Sequence, residues 1–169
     1  MKKILSSSIL LCILFLTGCV KNELTVFNGS QLEFDAATWN ANAAGVTYPI
    51  LTRVPITNAA TPTSQPLISR TTTSVTLRIN LVGAQSSTPI DFDYVVAGES
   101  TAVAGTHYST TTGKGTIPAN SSFGTVTINL LNPGVSSSTP KDLVLQLVDN
   151  SSSKASVNYA KVGLRISQL

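Results

Sequence analysis

The chain holds a single histidine, and the residues around it decide whether acid–base chemistry can be assigned. His107 is the only imidazole among 169 residues, so a nucleophilic serine would need it as the adjacent base. No Gly-x-Ser-x-Gly elbow is present. Glycoside hydrolysis needs a pair of carboxylates, and no motif singles out a pair among the eight Asp and Glu residues. The sequence therefore predicts a protein that is not an enzyme, with His107 as a structural turn residue.

Few residues are candidates for binding a metal ion or a cofactor. Zinc sites are built from several Cys or His ligands, and the chain has two Cys and one His. The turn Gly113-Lys114-Gly115 is not followed by a helical pattern, as a phosphate-binding loop would be. We therefore predict no metal site and no cofactor.

Ligand binding has one stronger candidate and three weaker ones. Trp39 lies in the polar stretch Thr38-Trp39-Asn40-Ala41-Asn42, and Tyr48 follows shortly after. Aromatic rings pack against apolar surfaces and keep a polar edge, so Trp39 could serve as a platform for a sugar ring. Tyr48, His107 and Tyr108 are weaker candidate contacts. The preferred interpretation is that Trp39 is half-buried at the end of the domain, with the sugar platform as the alternative.

The amino-terminal segment indicates where the protein is placed. Lys2 and Lys3 precede an apolar run over 4–16, which is too short to span a membrane. The following Leu16-Thr17-Gly18-Cys19 resembles the lipobox of bacterial lipoproteins. That resemblance implies a signal peptide over 1–18, a lipid on Cys19 and a tether over 19–30, so the chain would be anchored to a membrane without spanning it. An ordinary signal peptide with a nearby Cys is the alternative.

The residues after Cys19 and the charge pattern narrow the partners. Val20 stands where Asp would resemble an inner-membrane retention signal, and Lys21-Asn22-Glu23 partly resembles the export tag of surface lipoproteins in the Bacteroidota. The outer membrane is therefore expected, and the cell surface is preferred to the periplasmic face. Loss of Lys2 and Lys3 lowers the formal charge from +3 to about +1. The remaining basic residues are scattered, so no nucleic-acid partner is predicted.

The elements that must position these residues are strands. Hydrophobic residues make up 42% of the chain and charged residues 11%, which excludes a disordered tail. No stretch shows a helical apolar period. The alternating runs cover 32–36, 46–51, 75–81, 90–96, 116–117, 123–130, 143–148 and 157–166. About seven to eight antiparallel strands in one all-β domain over 31–169 are predicted, arranged as a β-sandwich. The Thr- and Pro-rich tract over 57–73 is expected to be a long loop.

The second half of the chain carries a family resemblance. Asp93-Tyr94 precedes the turn Thr101-Ala102-Val103-Ala104-Gly105-Thr106-His107-Tyr108, which is followed by Gly115-Thr116-Ile117-Pro118 and Gly124-Thr125-Val126-Thr127-Ile128. Over about 73–169, this order resembles the Calx-beta domain. The resemblance is to the forms found in small Bacteroidota lipoproteins of unknown function. It implies an immunoglobulin-like sandwich.

The resemblance implies calcium binding only where acidic loops are present, and this chain departs from that pattern. The loop over 132–140 contains no carboxylate, and His107 stands where the family usually has Asp. Calcium prefers six to eight oxygen ligands with several carboxylates among them. Asp91 and Asp93 alternate on a strand, so they should face one side as a solvated pair. The fold is carried over from the family, and the metal is not.

Three functions follow from these observations. The first is a non-enzymatic, lipid-anchored accessory or adhesion module that binds a glycan or an outer-membrane uptake partner. The second is a structural spacer in a cell-surface assembly, and a hydrolase ranks third. A binder should show an exposed aromatic or a concave polar cleft near Trp39 or the turns over 97–112. A spacer should show a flat apolar patch or a free sheet edge. A hydrolase should bring His107 to a Ser hydroxyl and a carboxylate.

Overall fold

The computed structural model describes residues 29–169. The predicted signal peptide over 1–18, the lipid site Cys19 and the tether as far as residue 28 lie outside the described residues. Within 29–169, no helix is long and apolar enough to cross a membrane.

Nine strands and one short helix make up the described part of the chain. In chain order they are β1 (Gln31–Phe34), α1 (Asp35–Trp39), β2 (Ile50–Leu51), β3 (Ser74–Val82), β4 (Ile90–Val96), β5 (Lys114–Ile117), β6 (Phe123–Asn129), β7 (Lys141–Val148), β8 (Lys154–Ala155) and β9 (Lys161–Ile166). The all-β prediction is confirmed, with the strands of the second half close to their predicted bounds.

The strands form two sheets. One has the order β6-β3-β1-β8, and the other has the order β2-β9-β7-β4-β5. The long strands pair antiparallel, as predicted. Two parallel pairs were not predicted, β1 with β8 and β2 with β9. Each parallel pair includes a two-residue strand, which is too short to carry a period of its own.

The core lies between the sheets and follows from the period-2 pattern. On β3 the inward residues Val75, Leu77 and Ile79 are buried, and on β6 so are Val126 and Ile128. Antiparallel pairing sets Leu77 against Val126 and Arg78 against Thr125, so one face is apolar and the other is polar. Val144 on β7 is also buried, because Tyr48 and Ala97 cover the outer face of the sheet there.

Three predicted strands differ from the structure near their ends. Of the predicted strand over 46–51, only Ile50–Leu51 forms a strand, because the residues before it close a turn. Ala36, predicted to continue the first strand, lies in α1. Asp35 is buried there and accepts hydrogen bonds from the Asn58 backbone N–H and the Asn80 side chain, and these contacts coincide with the end of the alternation. The last strand begins at Lys161 rather than at 157, because 157–160 forms the connection that carries the chain from one sheet to the other.

Candidate functional site

A groove of about 590 Å³ opens beside β7 and β9. One wall is the connection between β8 and β9, and the other is the loop between α1 and β2. Its lining is mainly polar and consists of Asn42, Thr47, Gln146, Val157, Asn158, Tyr159, Ala160 and Lys161. A concavity rich in amides beside an aromatic ring can offer both donors and acceptors to a hydroxylated ligand.

The β8–β9 wall is fixed to both sheets by backbone hydrogen bonds. Phe34 N–H donates to the Tyr159 carbonyl at 2.9 Å, and Leu147 N–H donates to the Ala160 carbonyl at 2.8 Å. These bonds join the connection to β1 in one sheet and to β7 in the other. The groove wall is therefore preorganised, although its side chains point to solvent: Val157 is 91% exposed and Tyr159 40% exposed.

The opposite wall is a tight turn that begins and ends with groove residues. Ala43 N–H donates to the Tyr48 carbonyl at 3.0 Å, and Val46 N–H donates to the Ala43 carbonyl at 3.2 Å. Gly45 has a φ of +82°, a left-handed conformation that favours glycine. This closure holds Asn42 and Thr47 on the two legs of one turn.

The positive charge of Lys161 at the groove floor is balanced by the carboxylate of Glu99. Gln146 and Lys161 are register partners on β7 and β9. Lys161 Nζ lies 2.8 Å from Glu99 Oε1 and 5.3 Å from the centre of the Tyr48 ring. The hydrogen bond from Lys161 lowers the pKa of the Glu99 carboxyl below its ordinary value. Burial, followed by the charge of Glu99, raises the pKa of the Tyr48 hydroxyl. Lys161 therefore brings little net charge into the groove.

Comparison with known proteins identifies the fold. No family model matches the chain, and no curated protein matches it. The structure is similar to the apo form of the Calx CBD1 domain, with a TM-score of 0.52, 13% identity, and coverage of 82% of this chain and 98% of that one. The fold is that of the Calx-beta domains. An 82% share extends beyond the 73–169 stretch in which the turn motifs predicted this fold.

Two further structures complete the comparison. The calcium binding domain CBD12 of CALX1.1 has a TM-score of 0.50 and 17% identity, and the match covers 59% of this chain and 40% of that one. This chain thus spans less than half of that protein's length. A Bacteroides ovatus ATCC 8483 protein named as a provisional carbohydrate-binding protein matches with a TM-score of 0.44, 11% identity, 60% of this chain and 33% of that one. That similarity is too distant to carry an argument about a ligand.

Two of the predicted ligand contacts differ in exposure in this Calx-beta fold. Trp39 ends α1 and is 50% exposed, so its ring is available to solvent. Tyr48 is only 6% exposed and packs with Ala97 and Val144. Its ring supports Lys161 from beneath the groove instead of lying on the surface.

The other two, His107 and Tyr108, are 8% and 6% exposed. His107 Nδ1 accepts a hydrogen bond from the Val103 backbone N–H at 3.0 Å, which assigns the ring proton to Nε2. Tyr108 belongs to the main core cluster. Within residues 29–169, no hydrogen bond joins the His107 ring to a Ser hydroxyl or a carboxylate, so the arrangement that a serine hydrolase requires is not formed there.

Asp91 and Asp93 share one side of β4, as their alternation predicted, and each carboxylate already accepts a hydrogen bond. Asp93 binds Lys114 at 2.8 Å and Asn150 at 3.2 Å, and Asp91 accepts from the Thr116 hydroxyl at 2.7 Å. The Lys114 hydrogen bond lowers the pKa of the Asp93 carboxyl. Across the described part of the chain, no group of three or more His, Cys, Asp or Glu side chains could hold a metal ion.

The sequence patterns do not reveal the groove residues. Tyr159 falls within a predicted strand, and Asn42, Gln146 and Asn158 are ordinary polar residues in their local sequence. They meet because β8 pairs with β1 while β9 pairs with β7. The pairing of Gln146 with Lys161 is a property of strand register, for which the sequence offers no separate signal.

Proposed function

We propose that this chain is a lipid-anchored, non-enzymatic β-sandwich module of the outer membrane, and that it binds a glycan in the groove between 42–47 and 157–161. The observation that carries the proposal is the groove itself. It joins amide side chains to the exposed ring of Tyr159 over rigid backbone walls. Amides give paired donors and acceptors for sugar hydroxyls, and an aromatic ring supplies a surface for sugar C–H groups.

The polarity and position of the groove argue for binding over catalysis. Its one charged lining residue is Lys161, which is paired with Glu99. The isolated histidine is elsewhere, in a closed turn. General acid–base work needs a titratable group within hydrogen-bond reach of the substrate, and the groove lining offers no carboxylate or imidazole for it.

The membrane anchor is the second part of the proposal and rests on the sequence. A lipid on Cys19 would tether the domain by a segment of about ten residues, since β1 begins at Gln31. We expect Cys19→Ser to move the protein from the membrane fraction to the soluble fraction. Mass spectrometry should find acyl chains on the mature amino-terminal residue of the unmutated protein. An unmodified start, or a variant that still sediments with membranes, would contradict the anchor.

Binding is tested with the full chain in detergent by affinity electrophoresis through gels that contain soluble polysaccharides. Tyr159→Ala and Asn158→Ala should lose retardation in any gel that slows the unmutated protein. Phe123→Ala is the matched control, because Phe123 is an exposed aromatic (45%) on β6 and does not line the groove. Equal loss in the control, or retention of binding in both groove variants, would contradict the groove as the site.

The outer edge of β6 supports the spacer as a second candidate, although the segment after His107 covers its last residues, where Ser109 N–H donates to the Asn129 carbonyl at 2.9 Å. β6 is seven residues long, lies at the end of its sheet, and pairs as a strand with β3 alone within residues 29–169. A strand edge can pair with another chain. If the spacer function holds, the detergent-solubilised protein forms assemblies of fixed size, and Thr125→Lys on this edge disperses them. A monomer at all concentrations would contradict it.

A further inference from the structure

We infer that the groove selects neutral sugars over uronic acids and other anionic glycans; this rests on the proposed function. The selection comes from the Lys161–Glu99 pair at the groove floor. An anionic sugar would gain most from a cation of unbalanced charge, and Glu99 balances the charge of Lys161.

The first step is the state of Lys161. Its ammonium donates to Glu99 Oε1 at 2.8 Å and lies 5.3 Å from the Tyr48 ring centre. The side chain is 29% exposed, so one face remains open to the groove. A carboxylate approaching that face meets a cation whose charge is already balanced by Glu99.

The second step is the charge around the pair. The lining residues other than Lys161 are uncharged. Burial raises the pKa of Tyr48 most, followed by Glu99 and then Asp142. Each of these carboxylates has a cation of its own, since Glu99 binds Lys161 at 2.8 Å and Asp142 binds Arg165 at 2.7 Å. These charges beside the groove floor are balanced in pairs, so an anion gains no net attraction from them, whereas a neutral hydroxyl can use the amides.

The third step is the match between the lining and a neutral sugar. Asn42, Gln146 and Asn158 each carry both a donor and an acceptor, so they suit hydroxyl groups, which also do both. A carboxylate accepts only, so an amide that faces the carboxylate of a uronic acid would have no donor for its carbonyl oxygen. The exposed ring of Tyr159 adds contact area that does not depend on charge.

The test compares neutral and acidic polysaccharides with the full chain in detergent. Gels containing neutral glucans, mannans or xylans should retard the unmutated protein, and polygalacturonate should not. Retardation by the neutral polymer should be unchanged between about 0.05 M and 0.5 M salt, because no ion pair with the ligand is being screened. Preference for polygalacturonate, or strong salt dependence with the neutral polymer, would overturn the inference while leaving a glycan-binding groove in place. Retardation by neither class would overturn the proposed function itself.

One substitution tests the cause. Glu99→Gln leaves the charge of Lys161 unbalanced, so retardation by polygalacturonate at low salt, absent in the unmutated protein, should become measurable. Asp149→Asn is the matched control: it releases Lys154 from a similar exposed pair, 2.9 Å long, outside the groove lining. A gain in both variants would assign the effect to overall charge, and no gain in Glu99→Gln would show that Glu99 does not set the selection. Both results would overturn the inference, and circular dichroism on each variant confirms that it is folded.

Discussion

Two connections between strands use similar residues in opposite ways. The turn over 103–108 folds His107 and Tyr108 inward, so His107 is 8% exposed and Tyr108 6%. The connection over 156–160 leaves Val157 91% and Tyr159 40% exposed. In the first, a side chain completes the turn, because His107 Nδ1 accepts from the Val103 N–H. In the second, the carbonyls of Tyr159 and Ala160 accept hydrogen bonds from the backbone N–H groups of Phe34 and Leu147. The side chains of this connection are therefore free to contact a ligand.

The contrast shows why residue type alone misplaces a site. A histidine beside a tyrosine suggests a catalytic or binding site. In this turn, however, the His107 ring accepts a backbone hydrogen bond that closes the turn, and the Tyr108 ring packs in the core. Asn158 and Tyr159 are ordinary polar-stretch residues by type, yet they stay exposed. The exposure of the side chains, and not their type, therefore separates the structural turn from the proposed binding wall.

The largest expected effect that separates the two connections is on stability. Tyr108→Ala should lower the free energy of unfolding by about 3 kcal/mol or more, because it empties a core position. Tyr159→Ala should change it by less than ~1 kcal/mol, since an exposed ring contributes little packing. Chemical denaturation of the two variants measures both. Equal losses would break the distinction between the turns.

The second effect is on binding and sets two exposed aromatics against each other. Trp39 and Tyr159 are 50% and 40% exposed, and only Tyr159 lines the groove. Tyr159→Ala should weaken polysaccharide binding about tenfold, or ~1.4 kcal/mol, while Trp39→Ala should leave it within about twofold. Affinity electrophoresis at several polymer concentrations gives both values. A larger loss of affinity in Trp39→Ala would indicate that the ligand binds at Trp39, the candidate platform of the sequence analysis.

How much of the fold and the site can be predicted from the sequence depends on the length of each pattern. The nine-residue strand β3 and the seven-residue strands β4 and β6 carry enough alternation for their buried faces to be predicted from the sequence alone. The two-residue strands β2 and β8 are too short to show an alternation. Their parallel pairing with β9 and β1 nevertheless determines where the two walls of the groove lie. The burial of Tyr48 escapes prediction for a related reason: it depends on Val144, about a hundred residues away in the chain.

A third effect is smaller and concerns the opposite groove wall. Gly45 has a φ of +82° and open space around it, so Gly45→Ala meets strain in the backbone and no clash. The cost to stability should be about 1 kcal/mol, with weaker glycan binding because Asn42 and Thr47 lose their shared turn. Gly98→Ala, also in open space but without that φ, is the control. An unchanged affinity in Gly45→Ala would show that this wall does not contact the ligand.

The smallest effect expected is that of pH on binding. Hydrogen bonding from Lys161 lowers the pKa of Glu99 from its ordinary value of 4.5. The stabilisation by the Lys161–Glu99 ion pair is therefore fully present at pH values above the ordinary pKa of Glu99. It is lost only as the pH falls through the lowered pKa of the folded protein. Binding of a neutral polysaccharide should be constant between about pH 5 and 8. A change across that interval would point to a different titrating group at the site.

The location of the bound ligand is the most direct test of the groove. Hydrogen–deuterium exchange on the full chain in detergent, with and without a retarding neutral polysaccharide, should slow exchange in segments 42–47 and 157–161. The turn over 103–108 and the end of α1 should be unaffected. Slowed exchange around Trp39 or His107, with none in the groove walls, would contradict the account.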